Sequence, residues 1–155
     1  MKKVTLLLLA IFTFAFANSQ SNKEEIDFMQ ASFGMDKKAI VAEFVKVDAT
    51  QKDAFWKLYD EYETQRKDLG KKRIDLVQKY ADNYDKLTNE FADSWTKEVL
   101  ALGNKTDGLL ESYYNKVKKA TNPVVALQFF QIETYILTVI RLAILEEIPF
   151  PEVKN

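Results

Sequence analysis

The sequence predicts an all-α protein, a bundle or cradle of about four long antiparallel amphipathic helices behind an N-terminal signal peptide. Two observations carry the helical class. Every long apolar pattern repeats at three-and-four spacing and none alternates with period two. The breaks between patterns coincide with helix start and stop residues: Asp48, Thr88, Asn122-Pro123, and the pair Pro149 and Pro151.

The chain opens with Lys2 and Lys3, then an apolar run from Val4 to Ala17 that includes Leu6-Leu7-Leu8-Leu9, Phe12, Phe14 and Phe16. A positive start, a short apolar stretch and a small-residue exit form a cleavable secretory signal. The run is too short to span a bilayer, which needs about 20 apolar residues. Cleavage fits either Ala15-Phe16-Ala17 or Ala17-Asn18-Ser19. The second is preferred, giving a signal over residues 1–19 and Gln20 as the new terminus. No cysteine follows the run, so lipid anchoring is not expected.

About 136 residues then remain, the length of one domain. Losing Lys2 and Lys3 lowers Lys plus Arg from 22 to 20 against 23 Asp plus Glu, a net charge near −3. That balance argues against a nucleic-acid partner, which selects a basic patch. The absence of His and Cys removes the usual general base, the thiol nucleophile and the commonest metal ligands. The four glycines, at 34, 70, 103 and 108, form no phosphate loop. Glu24-Glu25, Asp60-Glu61 and Glu146-Glu147 read as solvated charges. No catalytic, cofactor or metal residue is expected, and no integral membrane span after signal cleavage.

Residues 20–35 are polar and irregular, the pattern of a flexible arm with a turn of helix near Ile26-Asp27-Phe28-Met29; the helical domain is expected over 36–148 and a tail over 149–155. Asp36 opens a short first helix carrying Ile40, Val41, Phe44, Val45 and Val47, expected to end at Val47. The second helix begins with a capping motif. Asp48 is placed to cap the first turn, Gln51 to reach back to the cap's N–H, and Val47 to staple onto the first turn. Its stripe runs through Phe55, Leu58, Tyr59, Tyr62, Leu69, Leu76, Val77 and Tyr80 to about Ala81, in register across Gly70. Thr88 caps a third helix with Phe91, Trp95, Val99, Leu102, Leu109, Tyr113 and Val117. Gly103 and Gly108 would allow a turn between two shorter helices, but the stripe crosses them in phase through Thr106, so the segment reads as one long helix with room for a kink. Asn122 caps the fourth helix, Pro123 takes its first position, and it runs to about Ile148.

On a wheel of this last helix, Gln128, Gln131, Thr134, Thr138 and Arg141 share one polar arc, whereas Glu133 lies among Phe129, Phe130, Leu137, Ile140 and Ile144. A carboxylate there needs a partner. Arg66 and Arg73 occupy stripe positions of the second helix, so a core-crossing ion pair from Glu133 to Arg66 or Arg73 is expected, with snorkelling to the stripe edge or a dimer groove as the competing placement.

The run Val47-Asp48-Ala49-Thr50-Gln51 leading into Phe55-Trp56-Lys57-Leu58-Tyr59-Asp60-Glu61-Tyr62 resembles the LTxxQ motif of the Spy and CpxP group of helical periplasmic stress proteins. Gln51 matches, Val47 replaces the family's Leu, and Asp48 replaces its Thr. Leu87-Thr88-Asn89-Glu90 and Ala126-Leu127-Gln128-Phe129-Phe130-Gln131-Ile132-Glu133 are similar to segments of members linked to extracytoplasmic sigma factors. The resemblance spans about Asp36 to Ile148. It implies a periplasmic, ATP-independent holdase-like chaperone that meets unfolded or envelope proteins, or else a specific partner of an envelope sensor, and in either case a homodimer. The periodicity is met equally well if every stripe faces its own core.

Overall fold

The computed structural model describes residues 36–151, and over these the chain is all-α: α1 (36–44), α2 (Lys52–Asn83), α3 (Asn89–Ala120) and α4 (Pro123–Glu147), with no strand among the described residues. The expected signal over 1–19, the arm over 20–35 and the last four tail residues lie outside the described residues.

α1 stops at Phe44, three residues before the expected Val47; the Val45 N–H still donates to Val41 O at 2.8 Å, and the chain then leaves the helix over 46–48. The expected capping box does not form. Asp48 adopts φ −59°, ψ 147° but its side chain accepts no cap bond, and a 3-10 turn over Ala49–Gln51 leads into α2. Here a tighter turn replaces the side-chain cap: the Gln51 N–H donates to Asp48 O at 2.9 Å. The Gln51 side chain turns away, its Nε2 donating to Thr121 O at 3.4 Å, so it ties the start of α2 to the α3–α4 corner. Val47 packs half-buried against the core.

Two other starts form as their residues require. Thr88 Oγ1 accepts the Phe91 N–H at 3.2 Å. Asn122 Oδ1 accepts those of Val124 and Val125 at 2.9 and 3.0 Å, with Pro123 at the first helical position. α3 passes through Gly103 and Gly108 unbroken, neither at positive φ, because its stripe stays in phase on both sides.

A short 3-10 link over Tyr84–Lys86 makes α2 and α3 antiparallel, and a two-residue corner at Thr121-Asn122 does the same for α3 and α4. α2 and α4 therefore run parallel. Their near ends meet at Phe55 and Phe129, with ring centroids 6.4 Å apart; at the far end the Tyr80 and Tyr84 hydroxyls donate to Pro149 O and Phe150 O, both at 2.9 Å. α1 lies over the first half of α2 and α4, contributing Val41 and Val45 to a core of Phe55, Tyr59, Tyr62, Leu110, Tyr113, Val117, Val125, Ala126, Phe129, Ile132 and Ile136. Edge-to-face rings knit it: Tyr62 meets Phe129 at 5.3 Å and Tyr113 at 5.5 Å.

Candidate functional site

Where α1 crosses α2 and α4 the core contains charge. Lys37, on the same face of α1 as Val41 and Val45, is 0% exposed. Its Nζ donates to Glu133 Oε2 of α4 at 2.7 Å and to Glu63 Oε1 of α2. Arg66 Nε, one turn on, donates to the same Glu63 oxygen at 2.8 Å. Two cations thus face two carboxylates and the cluster is neutral. The Tyr59 and Tyr62 rings wall it, Lys37 Nζ lying 5.5 and 5.3 Å from their centroids.

The two carboxylates differ. Burial pushes Glu63 up, but Lys37 and Arg66 together outweigh it and hold the carboxyl below its usual range. Glu133 is 0% exposed and shares only Lys37; burial, reinforced by the charge of Glu63, holds it above its usual range. Burial and the Glu133 charge raise both tyrosines, keeping them neutral. Glu63 Oε2, Glu133 Oε1 and both tyrosine hydroxyls are buried with no hydrogen-bond partner among the described residues. Tyr62 thus lies beside Glu133 electrostatically without reaching hydrogen-bond geometry.

Glu133 is therefore buried and paired, as its wheel position requires, but with a different partner. Lys37 of α1 bonds it, and Arg66 joins the same cluster through Glu63. Arg73 stands apart, half-buried, where burial and the facing Arg141 lower its pKa and Asp107 partly opposes them. It lines a cavity of about 50 Å³ with Arg66, Leu69, Gly70, Thr106, Leu137, Ile140 and Arg141. Neither Lys37 nor Glu63 is among the sequence-predicted partners, although both leave a signal. Lys37 precedes Val41 and Val45 by four and eight residues, and Glu63 follows Tyr59 by four, so each falls on its helix's apolar stripe.

The second feature is the outer face of α4. Gln131, Thr134, Thr138 and Arg141 are exposed, as the wheel predicts, but the ends of that face are apolar: Val124, Leu127, Leu142 and Leu145 are 64, 49, 55 and 59% exposed. Phe130, expected on the core side, is 40% exposed and stacks edge-to-face on Tyr114. By length and composition α4 could cross a membrane, although Glu133 on its inner face is spent on Lys37. Phe44 of α1 and Leu100 of α3 also project outward. The described residues hold no cluster of three or more metal-ligating side chains. The chain matches no family model, no curated protein and no solved structure.

Proposed function

We propose that the protein is a non-enzymatic cell-envelope protein, exported by its signal peptide to the periplasm, that acts as an ATP-independent holdase-like chaperone of the Spy and CpxP type. The observation that carries this reading is the outer face of α4, where large apolar side chains stand in water on a helix whose outward surface is nearly free of charge. Unfolded segments are recognised by apolar surface of this kind, and ATP-driven cycling is not needed where binding is weak and reversible. The titratable cluster supports a non-catalytic role. Lys37 and Glu133 are 0% exposed and neutralise each other, so no substrate reaches them.

The test is suppression of aggregation of several unrelated unfolded proteins by the purified protein without ATP. Protection of most of them at near-stoichiometric ratios is the expected result. Protection of none, with tight binding to one native envelope protein, would identify a dedicated partner of an envelope sensor or sigma-factor signalling system instead. Export is tested by intact mass of the envelope-fraction protein, which should lack residues 1–19; a full-length species held in the membrane would refute it.

A further inference from the structure

At one level of the bundle the core is interrupted on three helices at once. No residue of α2 between Arg66 and Tyr80 is buried, none of α3 between Leu102 and Leu110, and none of α4 between Ile136 and Ile144. The α2 stripe keeps its spacing through this stretch, but Arg73 stands where an apolar residue would close it. Thr106 does the same on α3, its hydroxyl spent on Leu102 O at 2.9 Å. What remains is the cavity of about 50 Å³ floored by Leu69, Leu137 and Ile140, with Arg73 of α2 on one side and Arg141 of α4 on the other. A water needs about 10–15 Å³ of such space, so the cavity takes about four waters or one small polyatomic ion.

The two guanidiniums are cations that the fold leaves unspent. Lys37 takes Glu133, the partner expected for Arg73, and Arg66 is committed to Glu63. Among the described residues neither Arg73 nor Arg141 has a hydrogen bond or an ion pair; the charge of Asp107 is felt at Arg73 without forming one. Burial and the facing Arg141 both disfavour the charged form of Arg73. An anion between the two would reverse that cost, and a sequence that breaks its own pattern at a cost does so where function requires it. Guanidinium forks recognise oxyanions through paired N–H donors. Two such forks match a dianion, and a phosphate group carries about −1.5 to −2 near neutral pH. The apolar floor lowers the local dielectric and strengthens the attraction. The cavity has room for the phosphate alone, so whatever carries it lies outside, at the mouth beside the exposed Arg141.

We propose that the cavity between α2, α3 and α4 binds a phosphate group, held between Arg73 and Arg141 and supplied either as inorganic phosphate or as the headgroup of phosphatidic acid. The site shares no residue with the exposed apolar side chains of α4, so it stands or falls apart from the chaperone reading.

The probe is sodium phosphate, titrated against sodium chloride at constant ionic strength and read as thermal unfolding by circular dichroism and as broadening of the phosphorus NMR signal. Half-saturation is expected on the order of 1 mM, the yield of two charge-assisted contacts in a half-open site. Saturation is the mark of a site, because phosphate at high concentration stabilises proteins generally through exclusion from their surface. Arg73→Met and Arg141→Met should each raise the half-saturating concentration about tenfold or more, the loss of one charge-assisted contact. Lys57→Met, the same change of charge nine residues before Arg66, should leave it where it is. In chloride alone Arg73→Met should be at least as stable as the parent, since it removes a desolvated cation that faces another. Cosedimentation with phosphatidylcholine vesicles containing phosphatidic acid, abolished by Arg73→Met and by free phosphate, would assign the headgroup; a saturable phosphate response without vesicle binding would assign the free ion. A response to chloride equal to that to phosphate, a phosphate response that survives in both arginine variants, or an Arg73→Met protein less stable than the parent in chloride would each overturn the site.

Discussion

Replacing Lys37 by Met removes one charge from a place where nothing else can supply it. The methionine keeps most of the buried stem, so the packing around Val41 and Tyr59 changes little. What is lost is the hydrogen bond to Glu63, which keeps Arg66, and the one that serves Glu133, a carboxylate 0% exposed to solvent. Stranding a buried charge in this way costs on the order of 3–5 kcal/mol, a large share of a total stability of about 5–15 kcal/mol. The assay is urea denaturation followed by far-UV circular dichroism at pH 5 to 8. Trp56 fluorescence, in a Trp95→Phe background, reports α1 separately, because Lys38 Nζ lies 5.2 Å from the Trp56 ring. The sign with pH follows from Glu133, whose carboxyl burial holds above its usual value. Its contribution is fully present below its unfolded value and is lost as pH rises through the folded one. Removing the nearest cation moves that loss to higher pH, so the deficit of Lys37→Met should shrink as pH falls from 7 toward 5, by about 1.4 kcal/mol for each unit of additional shift. Glu63, held low, acts oppositely: its contribution is lost only as pH falls below the ordinary carboxylate range. Adding Glu133→Gln to Lys37→Met removes the stranded charge and should recover most of the deficit. A single variant within about 1 kcal/mol of the parent at pH 7, a deficit that is flat from pH 5 to 7, or a double variant no better than the single would show that the cluster is solvated and the reasoning wrong.

Glu133→Gln alone keeps the side chain's shape and removes the less favoured charge, so it should match or exceed the parent at pH 7 in the same urea titration, with the difference vanishing as pH falls through the carboxylate range. Gly103→Ala and Gly108→Ala place a Cβ that meets nothing within 4 Å on a helix without positive φ. Each should raise stability by about 0.5–1 kcal/mol, visible as a higher Tm. Asn122→Ala removes the acceptor of two first-turn N–H groups and should cost about 1 kcal/mol by the same titration.

The helices were legible because their signals are local. Thr88 needs only the Phe91 N–H three residues on, and Asn122-Pro123 shapes its own corner. The capping motif at Asp48 and Gln51 is as local in sequence, yet it failed: Gln51 reaches a carbonyl 70 residues away, and tertiary position outweighed the cap. Glu133 was recognisably buried because helical periodicity fixes which way a residue faces. Its partner was not, since periodicity cannot say which helix lies opposite. Arg66 and Arg73 were the visible cations on long stripes, whereas Lys37 sits on a helix of nine residues, where a stripe has only three positions on which to stand out.

The separation of Lys37 from Glu133 is 96 residues, and every chain is made from its N-terminus onward. At about 5–20 residues per second, Lys37 is synthesised roughly 5–20 s before the carboxylate it bonds. Over that interval α1 has only α2 to hold it, through Glu63 and Asp60, and a helix so short is marginal in water on its own. α2 and α3 can zip together through their short link as they emerge, and α4 can fold back onto α3. Only then does the site beneath Lys37 exist. Seating α1 is therefore an event of completion: until the last helix has arrived, Tyr59 and Tyr62 remain uncovered, and the nascent chain is itself in need of shielding.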